Sequence, residues 1–331
     1  MHKYVIKRLL ALIPVILGVI FIIQLILYLS PSDAAVVILG NNYTPEGAEA
    51  VRESLGLNRP FLTRYLDWIG GFFRGDLGLS YHYGTPVAEL VAPRLLVTCC
   101  LSLMSFLLVT AVSIPLGVWE AWTAGRGGRR RSSRAAAKLA GLLRTAWNQL
   151  FMALPPFFSG ILISWIFGIL LKWFQPGIKD YPTLTEAPGR FFWYLLFPAV
   201  SIAIPRIAMT VRMLHSTISG EMGRDYVRTA ISRGNDRWQV LRRHVLKNAM
   251  VPVIAFLAQT MAEVVAGSIV VEQVFGVPGL GRLLLNSIGY RDWAVVQVII
   301  VILAFWVVLA GTVGDLISQR LDPRLQLGGA K

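Results

Sequence analysis

The chain has 331 residues, of which 55% are hydrophobic and only 15% are charged, with a formal net charge of +14. This composition excludes an ordinary soluble domain, which carries about 25% charged residues. Several apolar runs exceed the roughly 18 residues that are needed to cross a hydrocarbon core of about 30 Å. The sequence therefore predicts an all-α polytopic membrane protein.

Six transmembrane helices are predicted from these apolar runs. They lie at about residues 9–30, 96–122, 147–171, 193–216, 249–271 and 295–317. The segments on one side of the membrane hold 3, 7, 7 and 3 Lys or Arg residues, in 1–8, 123–146, 217–248 and 318–331. The segment 31–95 on the other side holds five basic and seven acidic residues. Because Lys and Arg are enriched in cytoplasmic loops, both termini are expected in the cytoplasm.

The net positive charge of the chain is compatible either with binding to nucleic acid or with contacts to membrane lipids. Its densest cluster comprises Arg126, Arg129, Arg130, Arg131 and Arg134. These residues lie in a predicted cytoplasmic loop between apolar spans, where positive charge sets helix orientation and contacts anionic lipid head groups. We therefore expect membrane lipid, and no nucleic acid, as their partner.

The predicted organisation has three parts. Residues 1–95 comprise the first transmembrane helix and a helical extracytoplasmic segment. Residues 96–317 form a five-helix core that contains the cytoplasmic loop 217–248, and residues 318–331 form a cytoplasmic tail.

The extracytoplasmic segment is predicted to contain two helices. Thr44 and Pro45 are typical of a helix start, and Gly56 is typical of its end. A second helix carries apolar residues at helical spacing and suits the membrane interface; they are Leu62, Leu66, Ile69 and Phe73. The segment either caps the helix bundle or receives something that arrives from outside, and the sequence leaves both interpretations open.

No catalytic or metal-binding motif is found along the chain. Cys99 and Cys100 are adjacent within a predicted span, and no histidine stands at a metal-site spacing from them. The chain has no phosphate-binding glycine loop, no nucleophile elbow and no zinc-protease motif. We therefore expect no enzymatic activity, no metal and no cofactor in this chain.

The loop from Asp225 to Pro252 is predicted to form two short helices on the cytoplasmic face. Gly234 supplies a positive φ that ends the first helix, and Asn235 and Asp236 suit the start of the second. The second helix has an apolar stripe formed by Trp238, Leu241 and Val245.

The first of these helices has the shape of a docking element. Thr229 and Ala230 are small, so another surface can approach their backbone closely. A helical hairpin of this kind suits a groove of a partner protein. Periodicity alone favours an amphipathic re-entrant or surface hairpin without a partner.

The loop carries a run of motif residues. They are Tyr226-Val227-Arg228-Thr229-Ala230, then Gly234, His244, Leu246, Asn248, Ala249 and Pro252. This run resembles the EAA coupling loop of ABC importer permeases, in the branch that carries dipeptides, oligopeptides and nickel. Arg228 and Thr229 stand where the general motif has Glu and Ala, a departure that the peptide branch shares. Further matches cover nearly the whole chain, including residues 8–14, 30–33, 55–60, 74–78, 114–118, 154–158, 271–281 and 321–324.

The resemblance implies a transmembrane permease subunit of an ATP-driven, binding-protein-dependent importer in a bacterial or archaeal cytoplasmic (inner) membrane. ATP and Mg²⁺ would be bound by partner subunits and not by this chain. The implied partners are a second homologous permease, two ABC ATPases and an extracytoplasmic solute-binding protein. Di- or oligopeptides are the expected solutes, with nickel chelates or a related small solute as the alternative.

The resemblance also implies a set of residues that couple the permease to the ATPase. They are Tyr226, Arg228, Thr229, Ala230, Gly234 and His244. Of these, His244 is expected to pack beneath the loop, while the others supply contact and shape.

Two charged residues lie near the middle of predicted spans, where the family more often has an apolar or small residue. Arg206 lies in the fourth span and Glu263 in the fifth. Charge at that depth faces a partner or a wet cavity. We expect the two residues either to form a structural ion pair or to line the translocation path, where they would contact charged ends of a solute.

The segment Glu272–Gly281 is rich in glycine and proline and follows the fifth span. Folded inward as a re-entrant loop, it would place Val277, Pro278 and Leu280 as an outer gate. A simple extracytoplasmic turn is the alternative.

Two other functional classes make different predictions. A stand-alone secondary transporter would show inverted repeats with paired helix breaks, and no convincing repeat is found. An integral-membrane enzyme would need a nucleophile–base constellation, which the sequence does not show.

Overall fold

Residues 2–29, 34–124, 142, 146 and 148–321 are described by the computed structural model of the chain. The predicted arginine cluster at 126–134, the motif at 30–33 and the tail from residue 322 lie outside these residues. Every regular element named within them is helical, and the pairing of Leu79 with Pro86 is an isolated bridge. An all-α chain is therefore confirmed for the part that is described.

The helices are labelled in chain order. The first are α1 His2–Leu29, α2 Ala34–Leu39, α3 Pro45–Ser54, α4 Phe61–Arg74 and α5 Val87–Ala124. They are followed by α6 Pro156–Ile163, which continues as a π-helical stretch Ser164–Leu170, and by α7 Pro188–Met222. The last are α8 Asp225–Ser232, α9 Arg237–Val240, α10 Leu246–Phe275, α11 Leu280–Gly289 and α12 Trp293–Leu321. A π-helical turn, Leu241–Val245, joins α9 to α10.

Four helical stretches are long and apolar enough to cross a membrane. They are Val87–Thr123, Pro188–Met222, Arg237–Phe275 and Trp293–Ile317, and they contain the second, fourth, fifth and sixth predicted spans. The first and third predicted spans overlap two shorter apolar helices, Ile13–Leu29 and Pro156–Leu170. A multi-pass helical membrane protein is thereby confirmed. The count of six spans and the orientation of the termini stay predictions.

Two compact units make up the chain, residues 1–100 with 268–309 and residues 101–267 with 310–331. In the first unit, the start of α5 packs with α11 and the first turns of α12. The buried members of this core are Val87, Val91, Leu280, Leu283, Leu284, Val295, Val296, Val298 and Ile299. The short amphipathic helix α11 is therefore held by its apolar face inside this unit.

Helix α4 of the first unit has two apolar faces. One face, which includes Tyr65 and Trp68, packs against Ile20 and Ile23 of α1, and the Tyr65 hydroxyl donates to the Leu17 carbonyl at 3.1 Å. The other face leaves Leu62, Leu66 and Phe73 at 61%, 57% and 79% exposure. An exposed apolar face on a helix packed against a membrane span suits the predicted interfacial position.

The predicted boundaries of α3 are confirmed. The Thr44 hydroxyl accepts the backbone N–H of Gly47 at 3.1 Å, and Pro45 is the first helical residue. Gly56 has φ +65°, which ends the helix in the left-handed region that glycine adopts without a steric penalty.

In the second unit, α5 and α7 pack with the predicted cytoplasmic loop and α10. The buried members of this core are Val109, Ala203, Leu214, Ile218, Val227, Val240, Leu241, Val245, Ala249, Val253 and Leu257. A Cβ on Gly117 would lie 2.8 Å from the Leu214 side chain, so glycine lets α5 and α7 approach closely. Small residues serve this purpose at helix contacts in membranes, where association depends on close packing.

Candidate functional site

The predicted coupling loop forms the two helices that the sequence indicates. Helix α8 ends before Gly234, which has φ +87°. The Asp236 carboxylate then accepts the backbone N–H of Trp238 at 3.0 Å and starts α9. Of the predicted apolar stripe, Leu241 and Val245 are buried, while Trp238 is half exposed and its ring centroid lies 5.0 Å from that of Trp122.

Helix α8 is anchored to α7 and α10 by two neighbouring residues. Val227 is buried in the core of the second unit. The Tyr226 hydroxyl donates to the Glu221 carboxylate at 2.6 Å and accepts from the Asn248 side-chain amide at 3.3 Å. Burial, together with the hydrogen bond to Glu221, raises the pKa of Tyr226 above its ordinary value, so the phenol keeps the proton that it donates.

The outer face of α8 is open. Arg228 and Thr229 are exposed, and Ala230 is partly buried against the core. The ion pair of Arg228 with Asp225 spans 3.9 Å between two highly exposed side chains, so it contributes little stability. Arg228 and Thr229, which are expected to contact a partner, are thus exposed in this chain.

His244 departs from its predicted position. It is exposed, whereas the sequence suggested that it packs beneath the loop. The reason is geometric, because Leu241 and Val245 of the same π-helical turn occupy the buried face and leave His244 on the outer one.

Arg206 of α7 and Glu263 of α10 form an ion pair in the second unit. Their side chains are 21% and 38% exposed, and Gln259 also donates to the Glu263 carboxylate at 3.2 Å. The structure therefore joins the two charges that the sequence places in separate spans. Neither side chain is fully buried within the chain.

The hydrogen bonds of Tyr226 and the Arg206–Glu263 ion pair contact the same two helices, α7 and α10, at two different heights along them. Glu221 follows Arg206 by fifteen residues in α7, and Asn248 precedes Glu263 by fifteen residues in α10. At 1.5 Å per helical residue, each separation is about 22 Å. The Tyr226 hydroxyl thus contacts the same two helices that carry the ion pair.

The predicted outer gate residues lie in the first unit. Helix α10 ends at Phe275, Gly276 has φ +70°, and α11 begins at Leu280. Val277 and Leu280 are buried and Pro278 is partly buried. The segment is a tight turn into a short helix.

Sequence reasoning missed a role for Glu272 in that turn. This residue is fully buried, and its carboxylate accepts the backbone N–H groups of Gly281 at 2.7 Å and Arg282 at 3.1 Å. Thr98 donates to the same carboxylate at 2.8 Å and accepts the backbone N–H of Leu280 at 2.8 Å. The available signal was the pair of glycines at 279 and 281, because a Cβ on Gly279 would collide with Glu272 and one on Gly281 would lie 3.0 Å from its carboxylate.

A second buried carboxylate, Asp292, was also missed. It accepts the Ser80 hydroxyl, the Tyr81 backbone N–H at 3.1 Å and the His82 backbone N–H at 3.3 Å. The His82 ring stacks on Tyr290 at a centroid distance of 3.7 Å. Asp292 thereby fixes the turn before α5 to the loop between α11 and α12, a contact between residues more than two hundred positions apart.

Comparison with known families gives matches over both parts of the chain. Residues 132–327 match the family described as binding-protein-dependent transport system inner membrane component. Residues 1–102 match the N-terminal family described for the membrane component of such systems.

Curated relatives match along nearly the whole length. A probable peptide ABC transporter permease protein of Sinorhizobium fredii is 31% identical over 326 residues, covering 98% of this chain and 100% of the relative. An oligopeptide transport system permease protein of Bacillus subtilis is 32% identical over 329 residues, with 98% and 100% covered. A glutathione transport system permease protein of Escherichia coli is 31% identical over 327 residues, with 98% and 99% covered.

A solved structure shares the fold. It is an inward-facing conformation of the MetNI methionine ABC transporter, with a TM-score of 0.54 and 18% sequence identity. The match covers 71% of this chain and 97% of that chain. By the family match and the full-length relatives, the chain belongs to the binding-protein-dependent transport system inner membrane components, the permease subunits of ABC importers.

Proposed function

We propose that this chain is the transmembrane permease subunit of an ATP-driven, binding-protein-dependent importer of di- or oligopeptides. The observation that carries the proposal is the position of α8, which exposes Arg228 and Thr229 while Tyr226 and Val227 hold it on α7 and α10. Peptide, oligopeptide and glutathione systems among the relatives support peptides as the solute class.

In this proposal, α8 docks in a groove of a cytoplasmic ATPase. ATP and Mg²⁺ bind to two such partner subunits, and their closure displaces α8 as a rigid element. The displacement reaches α7 and α10 through Tyr226 and Val227 and shifts the membrane helices between two arrangements. A partner that contacts the two arrangements differently biases their populations without touching the solute.

The ion pair of Arg206 and Glu263 is proposed to line the translocation path. A peptide carries a carboxylate at one end and an ammonium at the other. Arg206 would pair with the carboxylate and Glu263 with the ammonium. When no solute is present, the two residues pair with each other, which limits the free-energy cost of holding both charges within the membrane.

The complete assembly is proposed to contain a second homologous permease and an extracytoplasmic solute-binding protein. Six spans would place both termini in the cytoplasm of a bacterial or archaeal cell. Val277, Pro278 and Leu280 would then form the outer gate on the side from which the binding protein delivers the peptide. The six coupling residues would lie on the opposite side.

Reconstitution of the permease with its ATPase in proteoliposomes tests the proposal. ATP-dependent peptide uptake is expected, and Thr229→Trp should abolish uptake because its bulk blocks docking of α8. Gln239→Ala, at an exposed position of α9, is the matched control and should leave uptake unchanged. If no ATPase co-purifies with the chain and uptake survives ATP depletion, the importer assignment fails.

The path assignment has its own test. Replacing both Arg206 and Glu263 with Ala should lower peptide uptake or change its selectivity for charged peptide ends. Unchanged transport and unchanged selectivity in the double variant would reduce the pair to a structural contact.

A further inference from the structure

A cavity of about 580 Å³ lies within the first unit, apart from every residue assigned above to coupling, the path or the gate. Its walls come from the C-terminal part of α1, the turn after α3, helix α4, residues 77–81 and the start of α12. Its volume falls within the range of about 300–1,000 Å³ that is usual for small-molecule sites. The cavity is therefore large enough for a ligand of its own.

The cavity has an excess of positive charge. Arg52 pairs with Glu49 at 2.9 Å, and Arg59 pairs with Asp67 at 3.0 Å. The third arginine of the wall is Arg64, for which the structure shows a long contact of 3.4 Å to a backbone carbonyl and a position 5.8 Å from the centre of the Tyr28 ring. Among the described residues, no carboxylate forms an ion pair with Arg64.

The charge of Arg64 acts on another residue of the cavity wall, Tyr81. Tyr81 is a largely buried wall residue whose pKa is raised by burial, and the positive charge of Arg64 acts on that pKa in the opposite direction. Arg64 is itself only partly exposed. A guanidinium has five N–H donors in a planar fork that matches carboxylate and phosphate oxygens, and most of those of Arg64 have no acceptor among the described residues.

Two uncharged donors on the same wall also lack acceptors. Gln297 is only 4% exposed, and its side-chain amide nitrogen has no hydrogen-bond partner among the residues that the structure describes. The indole N–H of Trp293, one turn earlier in α12, has none either. Buried polar groups are normally hydrogen-bonded, so two such donors in the same cavity wall as Arg64 indicate a site for an acceptor-rich anion.

The surroundings of the cavity indicate what carries the anion. Helices α1 and α4 supply two of its walls and expose large apolar side chains, among them Ile26, Leu29, Leu62 and Leu66. Tyr28 and Trp68 lie at the cavity between these helices, and aromatic side chains of this kind occupy the boundary between head groups and hydrocarbon. A ligand here would have its polar end in the cavity and its apolar end along the exposed helix faces.

We propose that this cavity binds the phosphate-containing head group of an anionic phospholipid, with Arg64 as the phosphate ligand and with the buried N–H groups of Trp293 and Gln297 turning toward the phosphate as hydrogen-bond donors. The acyl chains follow the exposed faces of α1 and α4. The lipid thus joins the first transmembrane helix, the interfacial helix and the start of the last span.

Lipid binding to the full-length chain tests the proposal. The chain is purified in detergent, delipidated and incubated with mixed micelles of phosphatidylglycerol or phosphatidylcholine, and bound lipid is counted by native mass spectrometry. We expect phosphatidylglycerol to be retained in preference to phosphatidylcholine. Arg64→Gln should lower phosphatidylglycerol affinity about tenfold, since a charged hydrogen-bonding partner of the phosphate is lost.

Matched variants separate binding from folding. Arg74→Gln removes the same charge from an exposed position of the same helix and should bind like the unmodified chain. Arg64→Lys keeps the charge and should retain most of the binding, and Gln297→Leu should weaken it without a change of charge. If Arg64→Gln does not fold, the binding measured for Arg64→Lys and for Gln297→Leu decides the proposal.

Three results with the lipids and the variants would overturn the proposal, and a competition result would be a fourth. The first is equal retention of phosphatidylglycerol and phosphatidylcholine. The second is an equal effect of Arg64→Gln and Arg74→Gln on phosphatidylglycerol binding. The third is full binding by Gln297→Leu together with loss of binding by Arg64→Lys. Competition by inorganic phosphate as effective as that by phosphatidylglycerol would assign the cavity to a free anion and reject the lipid.

Discussion

Glu272, near the end of α10, accepts the backbone N–H of Gly281 in the first turn of α11 at 2.7 Å. The first N–H groups of a helix have no partner within it, and a negative charge suits the positive end of its dipole. The carboxylate therefore fixes the start of α11 on α10. The segment predicted as an outer gate, Val277 to Leu280, lies within this connection.

Removal of the Glu272 carboxylate should destabilise the chain. Glu272→Leu leaves buried N–H groups without an acceptor, and the free energy of unfolding is expected to fall by about 2–4 kcal/mol. Glu272→Gln keeps one oxygen acceptor and should lose less. Unfolding of the purified chain in detergent measures both, with the exposed Glu53→Gln as control. Equal stability of Glu272→Leu and the control would contradict this role.

The glycine at position 281 should resist replacement for a related reason. A Cβ there would collide with the backbone of Ile269 and lie 3.0 Å from the Glu272 carboxylate. Gly281→Ala is expected to cost about 1–3 kcal/mol, because the packed backbone must shift. Gly289→Ala, at the open end of the same helix, should be neutral or slightly stabilising. The prediction fails if thermal unfolding ranks the two variants alike.

Asp292 should control the order of the turn at residues 80–82. Asp292→Asn has one fewer acceptor oxygen for the Ser80 hydroxyl and the two backbone N–H groups. We expect faster hydrogen exchange and faster proteolysis at this turn, with the helices unchanged. The exposed Asp76→Asn serves as the comparison. Identical exchange at the turn in the two variants would show that Asp292 does not hold it.

The ion pair of Arg206 and Glu263 should show a measurable coupling energy. Arg206→Met leaves Glu263 without its cationic partner, so the double variant with Glu263→Met should be more stable than the single one. The partial exposure of the pair limits the expected coupling to about 1 kcal/mol. A double-mutant cycle of unfolding free energies measures it, and purely additive effects would show that the contact carries no stability.

Tyr226→Phe should weaken the link between ATP hydrolysis and transport. The variant keeps the ring but loses both hydrogen bonds of the hydroxyl, and peptide uptake per ATP is expected to fall roughly fivefold. Tyr43→Phe, an exposed tyrosine in the first unit, is the control. Uptake and ATP hydrolysis measured together in proteoliposomes distinguish uncoupling from loss of protein.

The same tyrosine gives a prediction about pH. The pKa of Tyr226 is raised above its ordinary value of 10.0, so the stability due to the protonated phenol is fully present below pH 10 and is lost only as pH rises through the folded pKa. The effect of Tyr226→Phe on coupling should therefore be constant between pH 6 and 9. A difference between variant and unmodified chain that changes across this range would contradict the assignment.

Local features of the chain were predictable because their causes lie within a few residues. Thr44 and Gly56 bound α3 as expected, and Gly234 and Asp236 shape the coupling loop as expected. Helix ends were less predictable. In the third predicted span, the apolar helix α6 begins only at Pro156, since Pro155 is extended and the prolines start a new helix.

The sequence by itself determined the class of protein, the long apolar helices and the turns that shape the loop predicted to couple to an ATPase, because apolar length and turn chemistry act over short distances. Only the tertiary structure decided which distant groups meet. It joined Arg206 to Glu263 and Asp292 to Ser80, put His244 on the outer face, and gathered Arg64 and Gln297 around one cavity. These contacts depend on packing between helices far apart in the chain, and no local spacing encodes them.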